Sequence, residues 1–327
     1  MKTKTTEIIR LGENVLAGQA LNGEEALALT RIEAVDIPLL AAYAHKVRQA
    51  FSGNHVDMCG VLSARTGHCS EDCKFCSQSV YYRTDVAPHE LLPTAQLVAE
   101  AKVAEKAGAK RISLVTSGKG MEGDADFEAI VSRIQAIAAE TKLQVCANLG
   151  TLNHQQAKRL RDAGVRRYAH NLETSERFYP DICTTHPYQE RAATLAAVKE
   201  AGLELCSGGI IGLGEGWQDR IDLALALREF AVQSVPLNIL NPIPGTPLGD
   251  QKPLPVLEIL HTIALFRLLL PEAILRPAGG REINLRDMQG AAMLAGANGL
   301  IVGHYLTFSG RNTAADFQMV ADAQLLP

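Results

Sequence analysis

The sequence predicts an α/β protein, a (β/α)8 TIM-type barrel carrying an N-terminal helical extension. Three observations carry that reading. From about residue 55, short apolar runs alternate with longer amphipathic ones, the pattern of repeated βα units. Eight such apolar runs can be counted, enough to close a barrel. Three helical runs stop at a glycine, in Lys106-Ala107-Gly108, Asp162-Ala163-Gly164 and Glu200-Ala201-Gly202, where a helix C-terminus favours a residue that tolerates the left-handed conformation.

Residues 1–54 read as the helical extension: Glu24 to Thr30 is rich in helix formers, and Leu39, Tyr43 and Val47 recur four apart. The barrel is expected over 55–305. Its strands are placed near 56–64, 111–116, 143–148, 166–172, 203–211, 235–240, 273–277 and 299–303. Helices are placed at 94–107, 124–140, 153–163, 188–201, 217–231, 254–270 and 285–295. The proline- and glycine-rich run from Asn241 to Gly249 follows the sixth strand and reads as a loop at a barrel mouth. Residues 306–327 form a C-terminal segment.

Composition narrows the function. With 327 residues, 47% hydrophobic and 21% charged, the chain can bury a substantial core, and disorder is excluded as its main character. A net charge of −4 supplies no broad positive field, so neither nucleic acid nor a membrane surface is an expected partner. Met1 to Asn14 contains no continuous apolar run of the secretory kind. Ile259 to Leu275 is interrupted by His261, Arg267, Pro271 and Glu272 and is too short and polar to span a bilayer. A soluble cytoplasmic protein acting on small molecules is expected. Seven cysteines, an odd number, argue against a disulfide framework and for metal binding or catalysis.

The strongest chemical signal is Cys69-Ser-Glu-Asp-Cys73-Lys-Phe-Cys76. Three closely spaced thiolates can hold one face of an iron-sulfur cube and leave its fourth iron without a protein ligand. A zinc site is the plainer alternative, closed by His68 or Cys59 as fourth ligand. Placement in the loop after the first strand, at the end where barrel enzymes carry their active sites, favours the cluster. Phe75 suits a shielding role, or simple packing.

The other four cysteines are Cys59, Cys146, Cys183 and Cys206. Strand parity sets Cys146 with Gln144 and Asn148, opposite the aliphatic Leu143, Val145 and Ala147, so its thiol points into the barrel. Cys59 shares a face with Asp57 and Val61, and Cys206 with Glu204 and Gly208. These three lie on the first, third and fifth expected strands, with Arg276 on the seventh, and alternate strands supply one interior layer. A single such cysteine reads best as a small buried hydrophobe; three inward thiols beside a cluster motif favour metal ligation. Arg111 shares the parity of Ser113 and reads as a cation near that layer or a salt-bridged barrel residue, and His170 as a packing or hydrogen-bonded histidine. The run Gly208 to Glu215 lacks dinucleotide-loop spacing and reads as a close backbone approach. Asn171 and Glu173 share one face, and Asn238 projects near the same mouth. Neutral amides offer donors and acceptors without adding charge and so suit an uncharged polar ligand, while an isolated Asn more often caps a loop.

The Cys69, Cys73, Phe75 and Cys76 arrangement resembles that of the radical S-adenosylmethionine superfamily. The segments Asn148 to Leu152, Tyr168 to Ser175, Thr184 to Arg191, Cys206 to Glu215, Gly279 to Glu282 and Ala295 to Asn298 look like those of the biotin synthase family. The resemblance implies a 4Fe-4S cluster on Cys69, Cys73 and Cys76 whose open iron holds the amino and carboxylate groups of S-adenosylmethionine. One electron, from a low-potential donor such as flavodoxin or ferredoxin, then yields methionine and a 5'-deoxyadenosyl radical. That radical takes hydrogen from dethiobiotin, and sulfur enters from an auxiliary iron-sulfur cluster; two such steps close the thiophane ring. By the same resemblance Gly208, Gly209, Ile210 and Leu213, with Asn171 and Glu173, line the S-adenosylmethionine pocket, and Asn171 and Asn238 meet dethiobiotin. Iron-sulfur assembly machinery is implied, and a homodimer is allowed.

The chain departs from the family pattern at the auxiliary cluster. That pattern has three cysteines and an arginine; Cys146, Cys206 and Arg276 match, but Ser113 stands where the remaining cysteine falls. A serine oxygen is a poor partner for soft iron-sulfur chemistry. Cys59 is the expected replacement, and Cys183, in the loop after the fourth strand, competes with Arg276 for any fourth place; the nuclearity is left open. Glu173 stands where the family has Asp, and Ala169 replaces an asparagine. The competing readings are a biotin-synthase-like radical isomerase or hydrogenase-cluster maturase, and a zinc or iron-sulfur module without catalysis.

Overall fold

The computed structural model describes residues 2–121, 123–303 and 310–327. Three helices come first: α1 (Lys2–Leu16), α2 (Gly23–Leu29) and α3 (Ile37–Ser52). Asn22 starts α2 by accepting the Glu25 N–H while the Glu25 carboxylate accepts the Asn22 N–H, so two otherwise orphaned donors are satisfied together. Pro38 in the first turn of α3 lacks an N–H where the helix has no acceptor for one.

The strands are β1 (Asp57–Arg65), β2 (Arg111–Thr116), β3 (Gln144–Asn148), β4 (Arg167–Ala169), β5 (Glu204–Cys206), β6 (Gly209–Ile211), β7 (Ser234–Ile239), β8 (Ile274–Pro277) and β9 (Gly299–Ile301). Every ladder between them is parallel. The strand expected at 203–211 is divided into β5 and β6, both of which pair with β7. The division follows from Gly208: its N–H donates to Asn171 Oδ1 at 3.2 Å, and a Cβ there would lie 1.9 Å from the Pro236 carbonyl oxygen. Asn298 joins β8 to the β9 side and completes the ring. Its N–H donates to Leu275 O at 3.0 Å, and its Oδ1 accepts the Leu275 N–H at 2.8 Å and Arg267 Nη2 at 2.6 Å.

Outside the ring lie α4 (Thr94–Lys106), α5 (Asp124–Glu140), α6 (His154–Asp162), α7 (Tyr188–Glu200), α8 (Trp217–Glu229) and α9 (Val256–Leu269). The outward strand residues Ile112, Leu114, Val145, Ala147, Leu205, Val235 and Leu275 are buried in the layer between strands and helices. Helix α9 is buried on every face from Ile259 to Leu269, because α3 packs against it from outside while the barrel lies within. Among the described residues no helix is long and apolar enough to cross a membrane.

The single helix expected at 285–295 is instead α10 (Arg281–Leu285), a 3-10 turn (Arg286–Met288) and α11 (Gln289–Leu294). Arg286 has φ +50°, which a continuous helix does not allow. A last helix, α12 (Thr313–Asp322), is capped by the Asn312 side chain. The expected end of the barrel at 305 and start of the C-terminal segment at 306 lie outside the described residues.

Candidate active site

At the end of β1, Gly67 (φ +80°) and His68 (φ +53°) turn the chain sharply into the cysteine loop. The loop closes on itself: Cys69 N–H donates to Gln78 O at 3.0 Å, Val80 N–H to Cys69 O at 2.9 Å, and Cys76 N–H to Cys73 O at 2.9 Å. Cys69, Cys73 and Cys76 consequently line one cavity, together with Asn148, His170, Glu173 and Arg191. Burial pushes the Cys76 thiol up to about 11 and raises Cys69. Neither suggested fourth zinc ligand lies here: His68 faces a separate cleft with Arg65 and His89, and Cys59 lies deeper in the barrel. His170 is buried with no hydrogen-bond partner for Nε2 among the described residues, and burial holds its pKa well below the usual value. It thus presents a neutral imidazole to the cavity, where the sequence suggested only packing or a satisfied histidine.

Cys183 is not among the inner thiols, contrary to its candidacy for the auxiliary site. Its Sγ lies 3.7 Å from Cys73 Sγ and 3.3 Å from His186 Nδ1. The hydrogen bond from Cys73 holds Cys183 down to about 4, and the same bond raises Cys73 far above the usual thiol range. Backbone and carboxylate contacts fix this corner: Lys74 N–H donates to Ile182 O at 2.9 Å, and Thr184 N–H to Asp72 Oδ1 at 2.8 Å. His186 also contacts Glu71 through Nδ1 and is hydrogen-bonded to Tyr179 Oη through Nε2 at 2.7 Å.

Arg191, on α7, ties this wall of the cavity together. Its Nε donates to Tyr179 Oη at 2.7 Å and its Nη1 to Asn171 O at 3.0 Å, and it lies 3.7 Å from the Glu173 carboxylate. Burial raises the pKa of Glu173, and Arg191 draws it back. At φ +70°, the Glu173 backbone makes a single parallel bridge to β6, donating to Gly208 O at 3.1 Å and accepting from Ile210 N–H at 2.8 Å. A Cβ on Gly209 would lie 2.2 Å from Glu173 O, so the close backbone approach expected of this run is real. Further along, the Leu213 side chain is buried, and its N–H donates to Glu215 Oε2 at 2.7 Å. That carboxylate is paired in turn with Arg220 Nε at 2.7 Å.

Below the first cavity, and sharing Val115 and Asn148 with it, lies a second. Its walls include Cys59, Cys146, Cys206 and Arg276, the layer that parity predicted, with Ser113, Ala169, Asn171 and Asn238. In the β2–β3 ladder Ser113 stands opposite Cys146, and in the β4–β5 ladder Ala169 stands opposite Cys206. Burial pushes the Cys59 thiol up to about 11 and Cys146 higher still, each being further raised by its neighbouring thiols. Asn171 Nδ2 donates to Glu173 Oε2 at 3.4 Å; Asn238 Nδ2 donates to Gly209 O at 3.2 Å, and its Oδ1 accepts the Gly279 N–H at 2.9 Å.

The floor is a buried charge cluster. Asp57 accepts from Arg276 Nη2 and, at 2.8 Å, from Arg111 Nε, and it lies 3.7 Å from Arg167 Nη1. Burial opposes its ionisation, but these three guanidiniums outweigh burial and hold the carboxyl below its usual range. Arg167 also pairs with Glu204 at 2.9 Å. Three arginines therefore face two carboxylates, and Arg111 Nη1, Arg167 Nη1 and Arg276 Nε lack hydrogen-bond partners among the described residues. An unspent positive charge, unsatisfied donors and three soft thiols together suit an anionic iron-sulfur group. Asp57 was visible in the sequence only as a residue sharing the face of Cys59.

Comparison with known proteins agrees with this geometry. Residues 64–227 match the radical SAM superfamily, and residues 236–326 match the biotin and thiamin synthesis associated domain. The biotin synthase of Carboxydothermus hydrogenoformans is 48% identical, covering 97% of this chain and 98% of its own. That of Heliobacterium modesticaldum is 51% identical, again over 97% of this chain and 98% of its own. Among solved structures, methylornithine synthase superposes with a TM-score of 0.84 over 97% of each chain at 19% identity, a likeness of fold. With such identity along nearly its whole length to curated biotin synthases, and with two thiol-lined cavities stacked in a radical SAM barrel, the chain belongs to the biotin synthase family.

Proposed function

We propose that this chain converts dethiobiotin to biotin by radical sulfur insertion. The observation that carries the reading is the stacking of two thiol sets along the barrel, in cavities that share Val115 and Asn148. Cys69, Cys73 and Cys76 would hold the 4Fe-4S cluster, and Cys59, Cys146 and Cys206, with Arg276, the auxiliary group. When bound, the first supplies the electron that cleaves S-adenosylmethionine and the second supplies sulfur.

The chain's own residues do the rest. Asn171 and Asn238 form the neutral polar wall for the ureido ring, each held in place by backbone partners at Gly208, Gly209 and Gly279. Val61, Val115, Pro236 and Ile301 line the same cavity and keep water from the carbon skeleton. Glu173, beside Asn171 and restrained by Arg191, is assigned to ribose hydroxyls, with the edge formed by Gly208, Gly209, Ile210 and Leu213 on the adenosine side. Arg276, anchored by Asp57, fixes positive charge beside the inner thiols and limits repulsion among them on deprotonation. A low-potential donor such as flavodoxin or ferredoxin, iron-sulfur assembly machinery, a cytoplasmic setting and a homodimer complete the proposal. A radical isomerase or hydrogenase-cluster maturase would not call for the three inner thiols.

Anaerobic loading with iron and sulfide, followed by dethiobiotin, S-adenosylmethionine and a low-potential reductant, tests the reading. Biotin should form together with methionine and 5'-deoxyadenosine. Production of 5'-deoxyadenosine with no biotin from fully loaded protein would overturn it.

A further inference from the structure

We propose that Cys73 and Cys183 form a reversible disulfide when the cysteine loop carries no cluster, protecting Cys73 until the cluster can be loaded. Cys183 is buried and has no part in the proposed reaction, yet its sulfur lies 3.7 Å from that of Cys73. Among the described residues no other pair of thiols makes such a contact. The pairing is built into the backbone: the Lys74 N–H to Ile182 O hydrogen bond, at 2.9 Å, runs between the residues immediately next to the two cysteines. Asp72 ties the same strand of loop to Thr184 and Thr185 through their backbone N–H groups, so neither sulfur can drift away without breaking these hydrogen bonds. Cys73 lines the open cavity, whereas Cys183 stands behind it. An oxidant therefore meets Cys73 first, and Cys183 is placed to resolve the product.

With a small peroxide as oxidant, Cys73 passes its proton to Cys183 across their contact, the Cys73 thiolate so formed attacks one peroxide oxygen, the O–O bond breaks, and hydroxide leaves a sulfenic acid on Cys73. The Cys183 thiolate then attacks that sulfur; the S–S bond forms, the S–O bond breaks, and a second hydroxide leaves. The two thiol protons convert both hydroxides to water. Two thiols have lost two electrons and the peroxide has gained them. Without Cys183, a second peroxide transfers an oxygen to the sulfenic sulfur, its O–O bond breaking as water leaves, and the sulfinic acid so formed is not reduced by thiols. The consequence for cluster loading rests on the proposed ligand role of Cys73; the bond itself does not.

The test uses the full-length chain, stripped of iron by a chelator under anaerobic reducing conditions, freed of reductant and then exposed to a molar excess of hydrogen peroxide. After alkylation of free thiols, cleavage at Lys and Arg and also after Glu71 separates Cys69 from Cys73. Mass spectrometry should find the Cys73 fragment joined to the Cys183 fragment, with loss of two hydrogens. Linkage of Cys73 to Cys69 or Cys76, or a Cys73 sulfinate beside alkylated Cys183, would overturn the proposal. Iron and sulfide uptake after treatment with dithiothreitol is the second readout: the native chain should recover it, and oxidised Cys183→Ser should lose it. Equal recovery in both would overturn the protective role. Should Cys183→Ser fail to fold, the peptide map of the native chain decides alone. Neither readout measures biotin, so failure here is distinguishable from failure of the functional reading.

Discussion

Ser113 stands opposite Cys146 in the β2–β3 ladder, and both line the cavity that contains Cys59. Two adjacent strands thus offer the inner site a hydroxyl and a thiol at one level, with the third thiol coming from β1. Cys59→Ala should lose auxiliary iron and biotin formation while keeping the first cluster and uncoupled 5'-deoxyadenosine production. Adding Ser113→Cys should restore part of the auxiliary iron, since it returns a soft ligand to the same cavity. Iron and sulfide analysis with Mössbauer spectroscopy checks both; normal biotin formation by Cys59→Ala would make Cys59 a packed core thiol.

Asp57 is the carboxylate shared by the buried guanidiniums of Arg167 and Arg276 and the partly buried one of Arg111. Replacing it with Asn leaves Arg276, Arg167 and Arg111 with excess buried charge, and removal of one partner from such a network costs about 3–5 kcal/mol. Urea denaturation of Asp57→Asn should show a large loss of stability. Auxiliary iron should fall more than first-cluster iron, because Arg276 lines only the inner cavity.

The Asn171→Ala and Asn238→Ala variants should weaken dethiobiotin binding, since a ligand group that loses a buried amide partner costs about 1–3 kcal/mol. Both amides also hold backbone donors or acceptors, so each variant should lower thermal stability as well. Calorimetric titration of dethiobiotin into loaded enzyme separates the two effects, and unchanged affinity in both would remove these residues from the substrate wall.

His261 on α9 is buried against Trp217, with Nε2 at 2.9 Å from Leu29 O. Burial lowers its pKa from the ordinary 6.5. On acidification the unfolded chain therefore binds the proton first, so stability is retained above about pH 6.5 and declines below it until the folded form also protonates. His261→Gln retains a donor for Leu29 but does not titrate. Its urea midpoint should fall less between about pH 7 and about pH 5 than that of the native chain. His45 and His170 shift in the same direction, so the slope should shrink and not vanish.

Strand parity was legible because a β-strand has period two: Val145 and Ala147 had to face the helices, which sends Cys146 inward, and the same reasoning located Cys59, Cys206 and Arg276. The cysteine loop was legible because its spacing is itself the chemistry. Where the chain is irregular, periodicity has nothing to act on. Arg286 breaks the expected last barrel helix through a backbone angle that no pattern of apolar residues encodes. Gly208 splits a strand because Asn171 and Pro236, remote in sequence, approach it from either side.

By itself, then, the sequence determined the barrel, the inward faces of its strands and the two thiol sets, because these follow from local repeat and from the softness of sulfur. Only the tertiary structure decided what those groups meet. Asp57 gathers arginines from β2, β4 and β8 at one floor, and Cys183 reaches Cys73 across 110 residues of chain. Both outcomes depend on loop closure and on the packing of distant strands, interactions whose partners are chosen by the folded geometry and carry no mark in the neighbouring sequence.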